Sequence, residues 1–99
     1  MVQLSWSLQA KEDLKSIADY KKLNSVRYAR LQVIKIKSKT QILKSYPQSG
    51  RIVPEKDDKK IREFIEGNYR IIYKILSDTQ IDILTVHHSA KDFKTPPID

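Results

Sequence analysis

Arg51, Arg62, Arg70, His87, His88 and Lys91 are the cationic and titratable side chains best placed for chemistry in this sequence. They lie on or near short β-prone runs in its second half. Arg70 says most. It enters the strongly apolar run Tyr69-Arg70-Ile71-Ile72-Tyr73, where a guanidinium needs a carboxylate partner or an anionic ligand. An arginine, a histidine and a nearby glutamate are the parts of a metal-free RNA cleavage site. The carboxylate takes the ribose 2′-hydroxyl proton, the guanidinium stabilises the phosphorane, and the imidazole protonates the leaving 5′-oxygen. The structural alternative is a salt bridge from Arg70 to Glu55, Glu63 or Glu66, with the histidines as surface or satisfied core residues.

Which imidazole meets Arg70 depends on a turn. Tyr69 to Leu76 reads as one strand, with Ile71, Tyr73 and Ile75 on one face and Arg70, Ile72 and Lys74 on the other. Ile81 to His88 reads as the next. A two- or four-residue loop centred on Asp78-Thr79 sets Arg70 opposite His87, on a shared face. A loop of odd length brings His88 there instead. Adjacent histidines in a strand point to opposite faces, so the pair cannot readily chelate one metal. With no cysteine, two glycines and no P-loop or dinucleotide fingerprint, no metal or cofactor is expected.

The elements that must position these groups follow from periodicity. Val2, Leu4 and Trp6 alternate with polar residues and predict a half-buried strand. Ser7 can cap a helix carrying Ala10, Leu14, Ile17 and Ala18, ending near Leu23-Asn24. Ser25 can cap a second helix, with a stripe of Val26, Ala29, Val33, Ile36, Thr40 and Leu43, stopped by Tyr46-Pro47. Val33 to Lys37 is β-branched, but the longer stripe outweighs local preference. Residues 48 to 60 read as a loop with room for a short irregular strand. Ile61 to Ile65 is strand-like, and Glu66-Gly67-Asn68 supplies turn residues. The expected fold is a single α+β domain over residues 1–99: an N-terminal strand, a two-helix hairpin, then a three-stranded antiparallel meander. The tail from Ser89, with Pro96-Pro97, is expected to fray.

Charge points to partners. The net charge is +7, and it is uneven: residues 1–50 hold ten Lys/Arg and three Asp/Glu, residues 51–99 nine of each. A basic half draws polyanions or an acidic protein by salt-sensitive steering, or is simply a solvated, lysine-rich surface. No run approaches the roughly 18 apolar residues of a membrane span. The start of the chain lacks the basic and apolar regions of a signal peptide, so a cytoplasmic protein is expected.

Taken together, four segments resemble the RelE/ParE superfamily of toxins from type II toxin–antitoxin systems. Pro47 to Glu55 (PQSGRIVPE) is similar to the "P…GR.VPE" segment of ParE-type and plasmid-stabilisation toxins. Ile61-Arg62-Glu63, Asn68 to Tyr73 and Ile83 to His88 are similar to the "RE", "YRI.Y" and "I..V.H" strands. Upstream, Trp6, Ala10, Asp13-Leu14 and Ile17 fit the opening "W…A..DL..I". The resemblance covers roughly residues 2 to 92 and implies a growth-inhibiting toxin with the compact α+β fold of that superfamily. It implies a cognate antitoxin whose acidic C-terminal segment wraps the toxin beside the helical hairpin. For the target it implies either DNA gyrase, as in ParE-like members, or ribosome-bound mRNA, as in RelE- and YoeB-like endonucleases. In the second branch Glu55, Arg70 and His88 take the base, phosphate-clamp and acid roles, with Arg51, Arg62, His87 and Lys91 as further target contacts. Ser89 stands where several nuclease members carry a tyrosine, and Ala90 where a second basic residue is common, which tilts the reading towards gyrase.

Overall fold

Alternation of Val2, Leu4 and Trp6 with polar residues produces strand β1 (Gln3–Trp6), which turns these three side chains into the core. The computed structural model describes residues 2–22 and 25–88. Ser7 then starts helix α1 (Leu8–Lys22): its hydroxyl accepts from the Ala10 N–H at 3.0 Å. Ser25 does the same for α2 (Val26–Thr40), accepting from the Tyr28 N–H at 3.1 Å from an extended backbone. The first helix was expected to end at Leu23-Asn24, which lies outside the described residues, as does the tail from Ser89.

The β-branched run Val33 to Lys37 is helical, as its stripe demands. Ala29, Ile36, Thr40 and Leu43 are buried, whereas Val26, the stripe's first member, is 58% exposed. The α-helix ends at Thr40, and a single 3-10 turn, Gln41–Lys44, carries Leu43 into the core.

Four more strands follow: β2 (Arg51–Ile52), β3 (Ile61–Glu66), β4 (Tyr69–Ile75) and β5 (Gln80–His88). The sheet is five-stranded in the order β1-β5-β4-β3-β2, with β1 parallel to β5 and the other pairs antiparallel. The expected three-stranded meander is therefore too small. Arg51-Ile52 joins as a fourth strand, and the mixed sheet includes the N-terminal strand at its far edge. Two residues give no readable alternation. What pins β2 is chemical: Arg51 Nε donates to the Glu63 carboxylate directly across the ladder.

Gly50 makes this pairing possible. A side chain there would strike the Tyr73 ring and hydroxyl and the Glu63 carbonyl, all within 2.8 Å of its first carbon. Tyr73, fully buried, fills that place: its hydroxyl donates to the Pro47 carbonyl at 2.9 Å and accepts from the Gly50 N–H at 3.0 Å. The β3–β4 hairpin turns through Gly67 and Asn68, with Gly67 first and at φ 59°, as a type II′ turn requires.

The helices cover one face of the sheet, meeting Phe64, Tyr69, Ile71, Tyr73, Ile81 and Ile83. The other face carries a second, small core of Val53, Ile61 and Ile72, with Leu84 packed against it. Among the described residues no helix is long and apolar enough to cross a membrane.

Candidate functional site

The β4–β5 turn is centred on Asp78, because Ile75 pairs with Ile81 and Tyr73 with Ile83. Carried on unchanged, that register sets Arg70 opposite Val86. A bulge at Leu84 adds one residue to β5, so that Ile72 pairs with Thr85 and Arg70 with His87. The result matches an even turn, but it is reached through an odd turn and a bulge. Arg70 and His87 thus share the face away from the helices, while His88 points to the helix side.

On the open face the charged groups form a chain. Glu63 has a fully buried side chain, and its two oxygens take Arg51 Nε and, at 2.6 Å, Arg70 Nε. Arg70 turns its outer edge to Glu55: Nη1 and Nη2 donate to the two carboxylate oxygens at 2.9 and 3.1 Å. This is the bidentate fork that a guanidinium offers to carboxylates and phosphates alike. The Arg70 hydrogen bond is the main reason the Glu55 carboxyl lies below the usual carboxylate range.

His87 belongs to a second chain. The Asp13 carboxylate, on α1, accepts from Thr85 Oγ at 2.7 Å and from the Val86 N–H at 2.9 Å. With its proton given to Asp13, the Thr85 oxygen is left to accept from His87 Nε2 at 3.2 Å, which assigns the proton to that nitrogen. Burial lowers the His87 pKa; Asp13 opposes this and Arg70 reinforces it. The imidazole is therefore held neutral near pH 7.

Of the trio Glu55, Arg70 and His88, the structure brings together the first two. His88 packs edge-to-face on Tyr69 on the opposite side of the sheet, with ring centroids 5.1 Å apart. Its Nδ1 is buried without a hydrogen-bond partner among the described residues. Burial, and then Tyr28 and Tyr20, raise the pKa of that tyrosine. Arg51 stays close to Arg70 through Glu63, with 68% of its side chain exposed. Arg62 faces elsewhere and holds backbone: it donates to the carbonyls of Gly50 (3.0 Å), Lys59 (3.2 Å) and Gln48 (3.3 Å). Lys91 lies outside the described residues. Among those residues no group of three His, Cys, Asp or Glu side chains is placed to hold a metal ion.

The model of the ParE toxin of the type II toxin–antitoxin system parDE matches residues 4–93. The chain belongs to this ParE toxin family. Among solved structures, one described as a chromosomal ParDE toxin–antitoxin system from P. aeruginosa superposes with a TM-score of 0.72. It is 23% identical, and the match covers 89% of this chain and 96% of that one. The toxin-bearing DinJ–YafQ complex of E. coli is similar at a TM-score of 0.59 and 17% identity, over 94% of this chain and 99% of that one. YafQ alone, from E. coli strain BL21(DE3), gives 0.56 and 18%, again over 94% and 99%. At these identities the likeness is one of fold. No curated protein matches the sequence.

In this ParE-family chain, sequence reasoning passed over Asp13 and Thr85 as site residues, and saw Glu63 only as one of three possible partners for Arg70. Thr85 left a signal: a hydroxyl inside an apolar strand, two positions before His87. Glu63 left another, since it shares a strand face with Ile61 and Ile65, at a position that should be apolar. Asp13 left none, because an acidic residue on a helix flank is ordinarily solvated.

Proposed function

We propose that this chain is a growth-inhibiting toxin held by an acidic antitoxin segment laid across its helical hairpin, and that its target is DNA gyrase. The observation that carries the partner is electrostatic. Between Asp19 and Glu55 the sequence holds nine Lys/Arg and no acidic residue. Much of that stretch is α2, where Tyr28, Leu31 and Ile34 are 46–51% exposed among Arg27, Arg30, Lys35 and Lys37. Beside it, between α1, α2 and β1, a groove of about 420 Å3 has Trp6, Leu14 and Val33 on its walls and Lys11, Lys15 and Lys37 at its rim. Apolar floor and cationic rim together suit an amphipathic helix with acidic flanks.

The gyrase reading rests on membership of the ParE family and on the sheet. An mRNA-cleaving site built on Glu55, Arg70 and His88 needs three groups on one substrate, and His88 stands on the other face from Arg70. Glu55, the base of such a site, is engaged by the guanidinium through both oxygens.

Controlled expression in bacteria tests both halves, with plasmid supercoiling, DNA damage response and mRNA integrity followed in the same culture. Growth arrest with gyrase–DNA cleavage complexes and intact mRNA is expected. Rapid ribosome-dependent mRNA cleavage, abolished by Arg70→Ala, overturns the gyrase reading. Absence of any growth defect overturns the toxin reading. For the partner, reversing charge in α2 (Arg27→Glu with Arg30→Glu) is expected to weaken capture by a co-expressed antitoxin at least about tenfold, the scale of two lost charge contacts.

A further inference from the structure

Among the described residues, no strand lies along the outer edge of β5 past Ile83, because β1 pairs with it only from Gln80 to Ile83. Side chains from the start of α1 close that edge instead. Ser7 Oγ donates to the Leu84 carbonyl at 2.7 Å, and the Asp13 carboxylate takes the Val86 N–H at 2.9 Å and the Thr85 hydroxyl at 2.7 Å. A charged acceptor on a strand edge makes the stronger kind of hydrogen bond. Asp13 also sets what Thr85 can do. The hydroxyl has one proton, and giving it to Asp13 obliges the oxygen to accept from His87 Nε2.

The same helix walls the groove beside α2. Lys11, Lys15 and Ala18 lie on one flank of α1. Helical spacing puts Asp13 on the opposite flank, with Ala10 and Leu14 between the two, in the core. Trp6 and Leu14, the chain neighbours of Ser7 and Asp13, line the groove themselves. The helix thus stands between the groove and the end of β5. We propose that Asp13 is a positioning residue that ties His87 on the open face to the state of this groove: a partner seated there holds α1 in place, and the brace then keeps the imidazole more strictly in its Nε2–H form. With the groove empty, α1 has one packed flank fewer. Each opening of the brace frees Thr85 to point its proton at Nε2, and the ring then carries its own proton on Nδ1. The pattern of donor and acceptor that His87 offers on the face of Arg70 so depends on what the helices hold. Coupling of this kind runs both ways, since linkage between two sites is reciprocal. That the occupant is an acidic antitoxin segment rests on the reading above; the coupling does not.

The test uses the full chain near neutral pH, with two readouts. Ring 15N signals of His87 report the tautomer, and hydrogen exchange of the Val86 amide reports the brace. The Val53 amide, which donates to the Ile61 carbonyl at 3.1 Å at the opposite edge of the sheet, is the internal control. Ala18→Phe fills the groove from within and needs no partner. It is expected to slow Val86 exchange at least about fivefold, the low end of ordinary coupling between sites, and to leave Val53 unchanged. Asp13→Ala is expected to move His87 towards the Nδ1–H form and to abolish the response to Ala18→Phe. Asp13→Asn, whose amide oxygen can still accept, is expected to keep the Nε2–H form. Unchanged Val86 exchange in Ala18→Phe, equal slowing at Val86 and Val53, or a persistent Nε2–H form in Asp13→Ala each overturns the proposal. A co-expressed antitoxin bound to the wild type is expected to act as Ala18→Phe does. Capture of the antitoxin with no change at Val86 overturns the coupling and leaves the partner reading standing. Failure to capture any antitoxin removes the partner reading, and Ala18→Phe still decides the coupling.

Discussion

The two faces of this sheet solve burial in opposite ways. The helix-covered face is almost wholly apolar: Ile71, Ile81 and Ile83 have no exposure and belong to a core that takes in side chains of both helices. The open face buries three apolar residues, with Leu84 against them, beside a chain of four charges. Adjacent residues on β4 make the contrast sharp. Ile71 and Ile72 are equally buried, but one is walled by helices and the other lies under a connecting segment. One face is built on apolar packing, and the other sets paired charges beside a small apolar core.

Substituting these neighbours should give the largest effect and test the contrast directly. Ile71→Ala is expected to cost about 4 kcal/mol, and Ile72→Ala about 2.5 kcal/mol, because the segment over Ile72 can settle into the space while two packed helices cannot. Urea unfolding of both variants measures the difference. Equal losses, or the reverse order, break the comparison. Tyr73→Phe comes next, at about 2 kcal/mol, since it strands the Gly50 N–H and the Pro47 carbonyl without changing the ring packing. A loss under about 0.5 kcal/mol means that this hydroxyl does not hold the β2 approach.

Acid should expose the open face with the smallest energies. The folded pKa of His87 lies below its usual value of 6.5, so the unfolded chain takes up the proton first. The associated stability is complete above 6.5 and is lost as pH falls towards the folded value. Glu55 follows the same sense lower down: its folded pKa is below 4.5, so its pairing counts above 4.5 and is lost on acidification through the folded value. Half exposure keeps that contribution small. Melting temperature against pH is expected to flatten between about pH 7 and 5 in His87→Gln, and only below about pH 4.5 in Glu55→Gln. Unchanged slopes in both variants count against these environments.

What the sequence disclosed sorts by the range of the interaction. Both serine caps, the two helices and the strands β1, β3, β4 and β5 follow from patterns a few residues long. The need of Arg70 for a carboxylate was also legible, because an arginine in an apolar strand has few options. The choice of Glu55 and Glu63 over Glu66 was not, since it depends on β2 pairing across an eight-residue connection. Nor was the bulge at Leu84 legible. It is held from the far end of the chain: Ser7 Oγ donates to the Leu84 carbonyl at 2.7 Å, and Asp13 on α1 takes the Val86 N–H, contacts spanning more than seventy residues. Those contacts flank the bulge that sets His87 beside Arg70, and no local pattern encodes them.

The parallel pairing of β1 with β5 also sets an order in time. Leu4 lies beside Ile81 and Trp6 beside Ile83, so the first strand made finds its partner only after most of the chain exists. Contacts between such distant residues bear the full entropy of closing the loop between them, and topologies that rely on them form late. During synthesis β1 must wait, its apolar side chains uncovered, until β5 has been made. A chain truncated before Gln80 has nothing for β1 to join, so early termination yields fragments without a closed core.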